Sequence, residues 1–406
     1  MMIKKKNLLK KLALLMACAT LSSCAPIDSI QSESLLESEG ESIEEMIEYS
    51  PLLEYDKFNL NTYMKPIWLG DTVYNETVMF VGKDDFGRLL YPVKEIVSVT
   101  SYDLKTVYQE GIDYVFDERK NSIVLTEETT MPYFLESVFY PKTGQFHSSS
   151  KHSALFFSEG GVISKKQVAV TYRTVKDDRI TPPIDHSAKY ARLLEKLQNG
   201  EDVKICFYGD SITVGANGSA FVGIEPNMPG FDALVNESLK QIYNNPNVTF
   251  VNRAKGGEAT MWGYYNVSLV TDENPDLVVL CWGMNDLSIS WLKFKQQLQW
   301  IIDAIKKDCP NAEILLVSSM FPNGDAMEFN VENDYDNCNL IFFEEAQMEL
   351  AEEYNLGLAK VTSMHREILK YKTYYSMTGN NINHPSDFLI RVYAQNILYA
   401  LTGKTL

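Results

Sequence analysis

The chain has 406 residues, of which 45% are hydrophobic and 22% charged, with 22 Gly and 15 Pro. That length predicts two domains or one large one, with enough apolar surface to bury a core, and it excludes collagen-like and wholly disordered classes. A net charge of −17 argues against a nucleic-acid partner, which needs a basic face, and leaves small neutral substrates open.

At the start of the chain, Lys4, Lys5, Lys6, Lys10 and Lys11 precede an apolar run from Leu12 to Leu21. This reads as a charged n-region and a short h-region, too short for a permanent span. It ends in Leu21-Ser22-Ser23-Cys24, which resembles the lipobox of bacterial lipoproteins. The resemblance implies a signal peptide over 1–23, lipid attachment at Cys24, and a place on the extracellular face of the cell membrane. Residues 24–56 are rich in Glu and Ser, which predicts an acidic disordered tether. Membrane contact is then expected through the lipid on Cys24 alone.

From about 57 to 180 the period is close to two. Val97 and Val99 alternate with Ser98 and Thr100, and Val168, Val170 and Tyr172 with Ala169, Thr171 and Arg173. Tyr114-Val115-Phe116 and Ile123-Val124-Leu125 flank a polar stretch that reads as a hairpin loop. Short strands with no clear helix between them predict an all-β sandwich or jelly roll. Its aromatic residues, Trp68, Tyr74, Tyr91, Tyr102 and Tyr108 among them, read as filling of the core and of its interface with the second half, with a sugar-binding face as the alternative. His147 and His152 are close together but lack a metal-ligand pattern, and the 6 Cys form no CxxC pair. Neither a metal nor a cofactor is expected.

Thr181-Pro182-Pro183 breaks the pattern, and residues 185–406 read differently. Ser187 reads as the cap of a helix carrying Leu193 and Leu197 on one face, ended by Gly200. Apolar runs at Val203–Tyr208, Val248–Val251, Leu277–Trp282 and Glu313–Ser319 alternate with helical segments near 232–243 and 290–307. Near-continuous apolar strands between helices predict an α/β domain with a parallel sheet covered on both faces. Function in such sheets gathers at the carboxyl ends of the strands.

Those ends are informative. Gly209-Asp210-Ser211-Ile212 follows the first strand and places a Ser at a tight strand-to-helix turn. Gly256-Gly257 follows the second, where glycine permits close backbone approach. Gly283-Met284-Asn285-Asp286 follows the third. His384-Pro385 precedes a last helix with Ile390, Ala394, Ile397 and Leu401 on one face, and Pro385 is expected at its first position.

In this order the four blocks resemble the SGNH (GDSL-type) hydrolase family over about Val203 to Leu401. The resemblance implies a flavodoxin-like three-layer α/β/α domain and a cofactor-free acyl-ester hydrolase. It implies Ser211 as nucleophile, His384 as general base, and an oxyanion hole from the Ser211 N–H, the Gly257 N–H and the Asn285 amide. One position departs: the acid expected three residues before the His is Asn381. Asn381 itself and Asp387 are candidates for orienting His384. Three readings stay open: a dyad oriented by a backbone carbonyl, a carboxylate from elsewhere such as Asp387, Asp286 or Glu258, or a weak or inactive site. A β-sandwich before such a domain on a lipoprotein resembles two-domain carbohydrate esterases. The expected substrate is an acyl ester, an O-acetylated glycan above all. The alternatives are a lipase or thioesterase on longer acyl chains, and a non-catalytic glycan-binding lipoprotein. Oligomeric state leaves no trace in the sequence.

Overall fold

Residues such as Leu277–Cys281, apolar and buried at every position, fit only a strand covered on both faces. The computed structural model describes residues 59–142, 154–326 and 338–406, and it places this strand at the centre of a five-stranded parallel sheet. The leader, Cys24, the acidic segment, His147 and His152 lie outside the described residues.

The β-rich part contributes β1 (Thr72–Met79), β2 (Phe86–Arg88), β3 (Val93–Ser101), β4 (Val107–Tyr108), β5 (Tyr114–Asp117), β6 (Ser122–Leu125) and β7 (Gln167–Thr174). They form two antiparallel sheets, ordered β1-β7-β3-β4 and β2-β6-β5. The expected hairpin is β5–β6, with Tyr114 opposite Leu125 and Asp117 opposite Ser122.

The parallel sheet contains β8 (Val203–Gly209), β9 (Val248–Asn252), β10 (Leu277–Cys281), β11 (Glu313–Val317) and β12 (Gly357–Ala359), in the order β12-β11-β10-β8-β9. Numbered from its own first strand, this is the flavodoxin-like order 2-1-3-4-5. The chain leaves β8 for one edge and then returns past it to β10. The crevice between the carboxyl ends of β8 and β10 is therefore the topological switch point, where such sheets bind ligands.

Helices α1 (Ala191–Gln198), α2 (Ser211–Val214), α3 (Phe231–Tyr243), α4 (Thr260–Tyr265), α5 (Trp291–Asp308), α6 (Asn339–Glu353), α7 (Val361–Leu369) and α8 (Asp387–Thr402) accompany the sheet. Helix α5 shows the expected period, burying Phe294, Leu298, Ile301, Ile302 and Ile305. Two helix starts differ from expectation. Ser187 begins a 3-10 turn, and α1 starts only at Ala191. Pro385 stays outside α8, whose cap residue is Ser386, because Pro385 is bridged to Thr378 in an extended pair.

Helix α8 is buried on nearly all sides and not on one face. Its inner side meets α3 and β12, and β1 covers its outer side. Arg391 donates from Nη2 to the carbonyls of Tyr74 (2.9 Å) and Asn75 (2.8 Å), where β1 bulges away from β7. One hydrophobic cluster thus runs from Val78 and Val170 in the antiparallel sheet through Phe388 and Tyr393 to Leu280 in the parallel one. Among the described residues no helix is long and apolar enough to cross a membrane.

Candidate active site

The turn after β8 is built by close packing. A Cβ on Gly209 would lie 2.1 Å from the carbonyl oxygen of Cys281 on β10, so only glycine lets the strand ends approach this closely. Asp210 then caps α2 by accepting from the Ile212 N–H at 3.0 Å, and its other oxygen accepts from the Met284 N–H at 3.3 Å. That carboxylate ties the block after β8 to the block after β10. Burial, chiefly, pushes its pKa up to about 7, and the charge on Asp286 adds to the rise. Asp286 is pushed up to about 6, again first by burial, and holds the next block by accepting from Thr260 N–H (3.1 Å) and Thr260 Oγ1 (2.6 Å). Two buried acids thus link the three strand ends.

Ser211 is the first residue of α2 and is buried. The loop after β9 passes beside it, since a Cβ on Gly256 would stand 3.7 Å from Ser211 Cβ. Gly257 continues this loop with φ +77° and is exposed. Asn285 donates from Nδ2 to the Glu258 carbonyl at 2.9 Å, which fixes its amide against the same loop. This bond uses one of the two amide protons.

His384 arrives from the loop before α8. Its Nε2 lies 2.8 Å from Ser211 Oγ. The structure therefore brings Ser211 and His384 into hydrogen-bond contact, with Gly257 and Asn285 on the neighbouring strand ends.

Residues 207–388 match the family described as GDSL-like lipase/acylhydrolase. This part of the chain is a GDSL-type hydrolase domain. No curated protein matches the chain. Among solved structures it is similar to a two-domain esterase active on acetylated mannans, co-crystallized with mannopentaose, at 21% identity and a TM-score of 0.42. That match covers 52% of this chain and 53% of the other, so the chain spans about half of that esterase. It is similar to a mutant of an acetyl-xylooligosaccharide esterase from Geobacillus stearothermophilus at 20% identity, with 49% and 94% covered and a TM-score of 0.40. It is also similar to a member of the lipolytic G-D-S-L family from Veillonella parvula at 17% identity, with 48% and 96% covered and a TM-score of 0.37.

The GDSL-type domain departs from sequence expectation at the far side of the imidazole. Asn381 does not orient His384. Its side chain donates to the Phe156 carbonyl at 2.8 Å and accepts from Asn323 Nδ2 at 3.1 Å, and its φ of +68° turns the loop. Asp387 is engaged elsewhere as well, accepting from the Ser219 N–H at 2.8 Å. Burial, first, raises its pKa, while the hydrogen bonds from Ser219 and the charge of Arg391 oppose the rise. Asp286 serves Thr260. These bonds correct the readings that gave Asn381, Asp387 or Asp286 to the histidine.

His384 Nδ1 faces Asn217 Oδ1 at 2.5 Å and Asn380 Nδ2 at 3.0 Å. Because Asn217 Oδ1 can only accept, Nδ1 carries the ring hydrogen and donates it there, which leaves Nε2 to accept from the Ser211 hydroxyl. Asn217 is oriented in turn, since its Nδ2 donates to the Glu159 carbonyl at 2.6 Å. Asn380 braces the loop: its Oδ1 accepts from the N–H groups of Ile382, Asn383 and His384 at 2.9, 3.0 and 3.0 Å. Its Nδ2 protons then go to Asn383 Oδ1 (3.0 Å) and Glu159 Oε1 (3.3 Å). The Glu159 carboxylate also reaches the ring, with Oε2 at 3.4 Å from His384 Nδ1.

Sequence reasoning missed Asn217, Asn380 and Glu159. Asn217 lies in the Ala216–Gly230 loop, whose place just after the nucleophile is a usable signal. Glu159 precedes Gly160 and Gly161 in the β-rich part, far from every block of the motif, and carries no signal. The large apolar residues near the strand ends divide. Trp282, Met284, Met320 and Phe321 are buried core, whereas Trp262 is half-buried and packs against Trp282 at 6.4 Å. Among the described residues no group of three or more His, Cys, Asp or Glu side chains is placed to hold a metal.

Proposed function

We propose that the chain is a serine esterase that removes acyl groups, acetyl above all, from O-acetylated carbohydrate. The observation that carries this reading is the continuous contact Ser211 Oγ–His384 Nε2–Nδ1–Asn217 Oδ1 at the switch point of the sheet. His384 Nε2 takes the Ser211 proton as Oγ attacks the ester carbonyl. The carbonyl oxygen gains the negative charge, and the Ser211 N–H, the Gly257 N–H and the Asn285 amide are the donors offered to it. Collapse of this intermediate breaks the bond to the leaving alcohol, which takes the proton from His384 and leaves acyl-Ser211. Water, deprotonated by the same nitrogen, then releases the carboxylic acid and restores Ser211. Each oxyanion donor is worth about a hundredfold or more in turnover.

The rim supports a hydroxylated substrate. Half-buried Asn383 and exposed Glu159 put an amide and a carboxylate beside the imidazole, which suit sugar hydroxyls better than an alkyl chain. A half-buried Trp262 on α4 offers an apolar ring face near the same edge. We also propose that Cys24 carries a lipid and that 24–56 tethers the folded part outside the cell. The lipobox-like tetrapeptide and the acidic, Ser-rich segment support this.

A series of nitrophenyl esters from C2 to C12, with acetylated oligosaccharides in parallel, tests the reading. Fastest turnover on acetyl esters, lost in Ser211→Ala, is expected. Preference for C8 or longer would replace it with a lipase, and equal rates for wild type and Ser211→Ala would replace it with a binding protein.

A further inference from the structure

We infer that Glu159, a residue of the β-rich part of the chain, supplies the negative charge for His384 that Asn381 cannot. The inference rests on reading Ser211 and His384 as nucleophile and base. During acyl transfer the imidazole gains a proton and a positive charge, and an amide at Nδ1 can accept a hydrogen bond without balancing that charge. Asn217 Oδ1 fixes the ring tautomer, and the carboxylate beside it does the balancing. Glu159 Oε2 stands 3.4 Å from Nδ1, within ion-pair distance. That separation is well inside a Debye length, and the exposed carboxylate gives the pair the strength of a surface ion pair, not of a buried one.

Several bonds hold Glu159 in place. Its main-chain carbonyl accepts from Asn217 Nδ2 at 2.6 Å, and its Oε1 accepts from Asn380 Nδ2 at 3.3 Å. The segment around it is fastened to the histidine loop. The Ser158 N–H donates to the Asn380 carbonyl at 3.3 Å, and the Phe156 carbonyl accepts from Asn381 Nδ2 at 2.8 Å. Asn381, standing where the family carries its acid, has become a fastener for the strand of chain that delivers another one. Three other acids at this edge are committed: Asp210 to Ile212 and Met284, Asp286 to Thr260, and Asp387 to Ser219. Glu159 lies outside the matched segment 207–388, so the matched segment alone lacks the charge, and the β-rich part completes the site.

Glu159 is a positioning residue, because it acts through the imidazole. Its carboxylate is 63% exposed, so Glu159→Gln removes charge without burying anything and should leave the fold intact. The test uses the whole chain as wild type, Glu159→Gln and Glu159→Asp. One readout is kcat and KM on nitrophenyl acetate. The other is the downfield proton resonance of His384 Nδ1–H, assigned by its loss in His384→Gln. In Glu159→Gln, kcat is expected to fall about twofold to fivefold, the worth of a solvent-exposed ion pair, with KM changed less than that, and the resonance to move upfield. Glu159→Asp should recover part of both. Unchanged kcat and an unmoved resonance would overturn the inference, as would a change in KM alone, which would make Glu159 a substrate contact. If wild type hydrolyses no ester but the resonance still answers to Glu159→Gln, the esterase reading fails and the pairing stands. If wild type is active and Glu159→Gln matches it in both readouts, the pairing fails and the esterase reading stands.

Discussion

Asn217 Oδ1 sits 2.5 Å from His384 Nδ1, where a carboxylate oxygen stands in a charged catalytic relay. The amide holds the ring in the tautomer that leaves Nε2 free to accept from Ser211, while Asn217 itself has φ +62°. Asn217→Gly keeps that backbone and removes the acceptor. We expect kcat to fall about tenfold to a hundredfold, and unfolding free energy to fall by about 1–3 kcal/mol because the Glu159 carbonyl loses its buried donor, measured by steady-state kinetics beside urea titration.

The approach of the nucleophile loop to the histidine loop depends on Gly379. A Cβ there would meet the Asn217 carbonyl oxygen at 2.6 Å and Asn217 Cβ at 2.7 Å. Backbone on one side leaves no flexible atom to give way. Gly379→Ala should cost about 1–3 kcal/mol of stability and displace Asn217, lowering kcat as well. A stable and fully active Gly379→Ala would show that the two loops do not need this contact.

Three of the four motif blocks were legible because each follows an apolar strand, and His384 was legible from the His-Pro pair before the last helix. Val203–Gly209 and Leu277–Cys281 announce a buried parallel sheet, and the polar residues that follow them have to face the switch point. Glu159 was not legible, because nothing local marks a carboxylate that docks across the fold onto another loop. Helix α8 misled in a related way. Its spacing of Ile390, Ala394, Ile397 and Leu401 shows one face, but β1 covers the other. Arg391 marks that cover, since its guanidinium ends on β1 carbonyls. Strand β12, with three residues, is too short to show a period.

A buried ion pair fastens β1 to the chain leading to His384. Lys372 Nζ lies 2.5 Å from Glu76 Oε1, with both side chains fully buried. Glu76 also accepts from the Leu90 N–H (2.9 Å) and Tyr172 hydroxyl (2.7 Å), and Lys372 donates to the Thr77 carbonyl (3.1 Å). Removing one partner strands a buried charge. Lys372→Met should cost about 3–5 kcal/mol, and adding Glu76→Gln should recover much of it, as read by urea unfolding.

The paired acids under the site predict a pH dependence of stability. Asp286 is raised to about 6, so between about pH 4 and 6 the folded chain holds a proton that the unfolded chain has released. Its contribution to stability is present at low pH and lost as pH rises through that window. His365, lowered to about 3 by burial, acts in the opposite direction from about 3 to 6.5, so the informative quantity is the difference between wild type and Asp286→Asn. Relative to wild type, the variant should gain about 1–3 kcal/mol between pH 4 and pH 8. A difference that does not change with pH would mean Asp286 is ionised throughout.

The most direct test of the account is covalent capture of the nucleophile. The whole chain is treated with a fluorophosphonate probe and the modified peptide is located by mass spectrometry. A single adduct on Ser211, absent in Ser211→Ala and formed at least a hundredfold more slowly in His384→Ala, is the expected result. An adduct on another residue, or one on Ser211 that forms equally fast without His384, would contradict it.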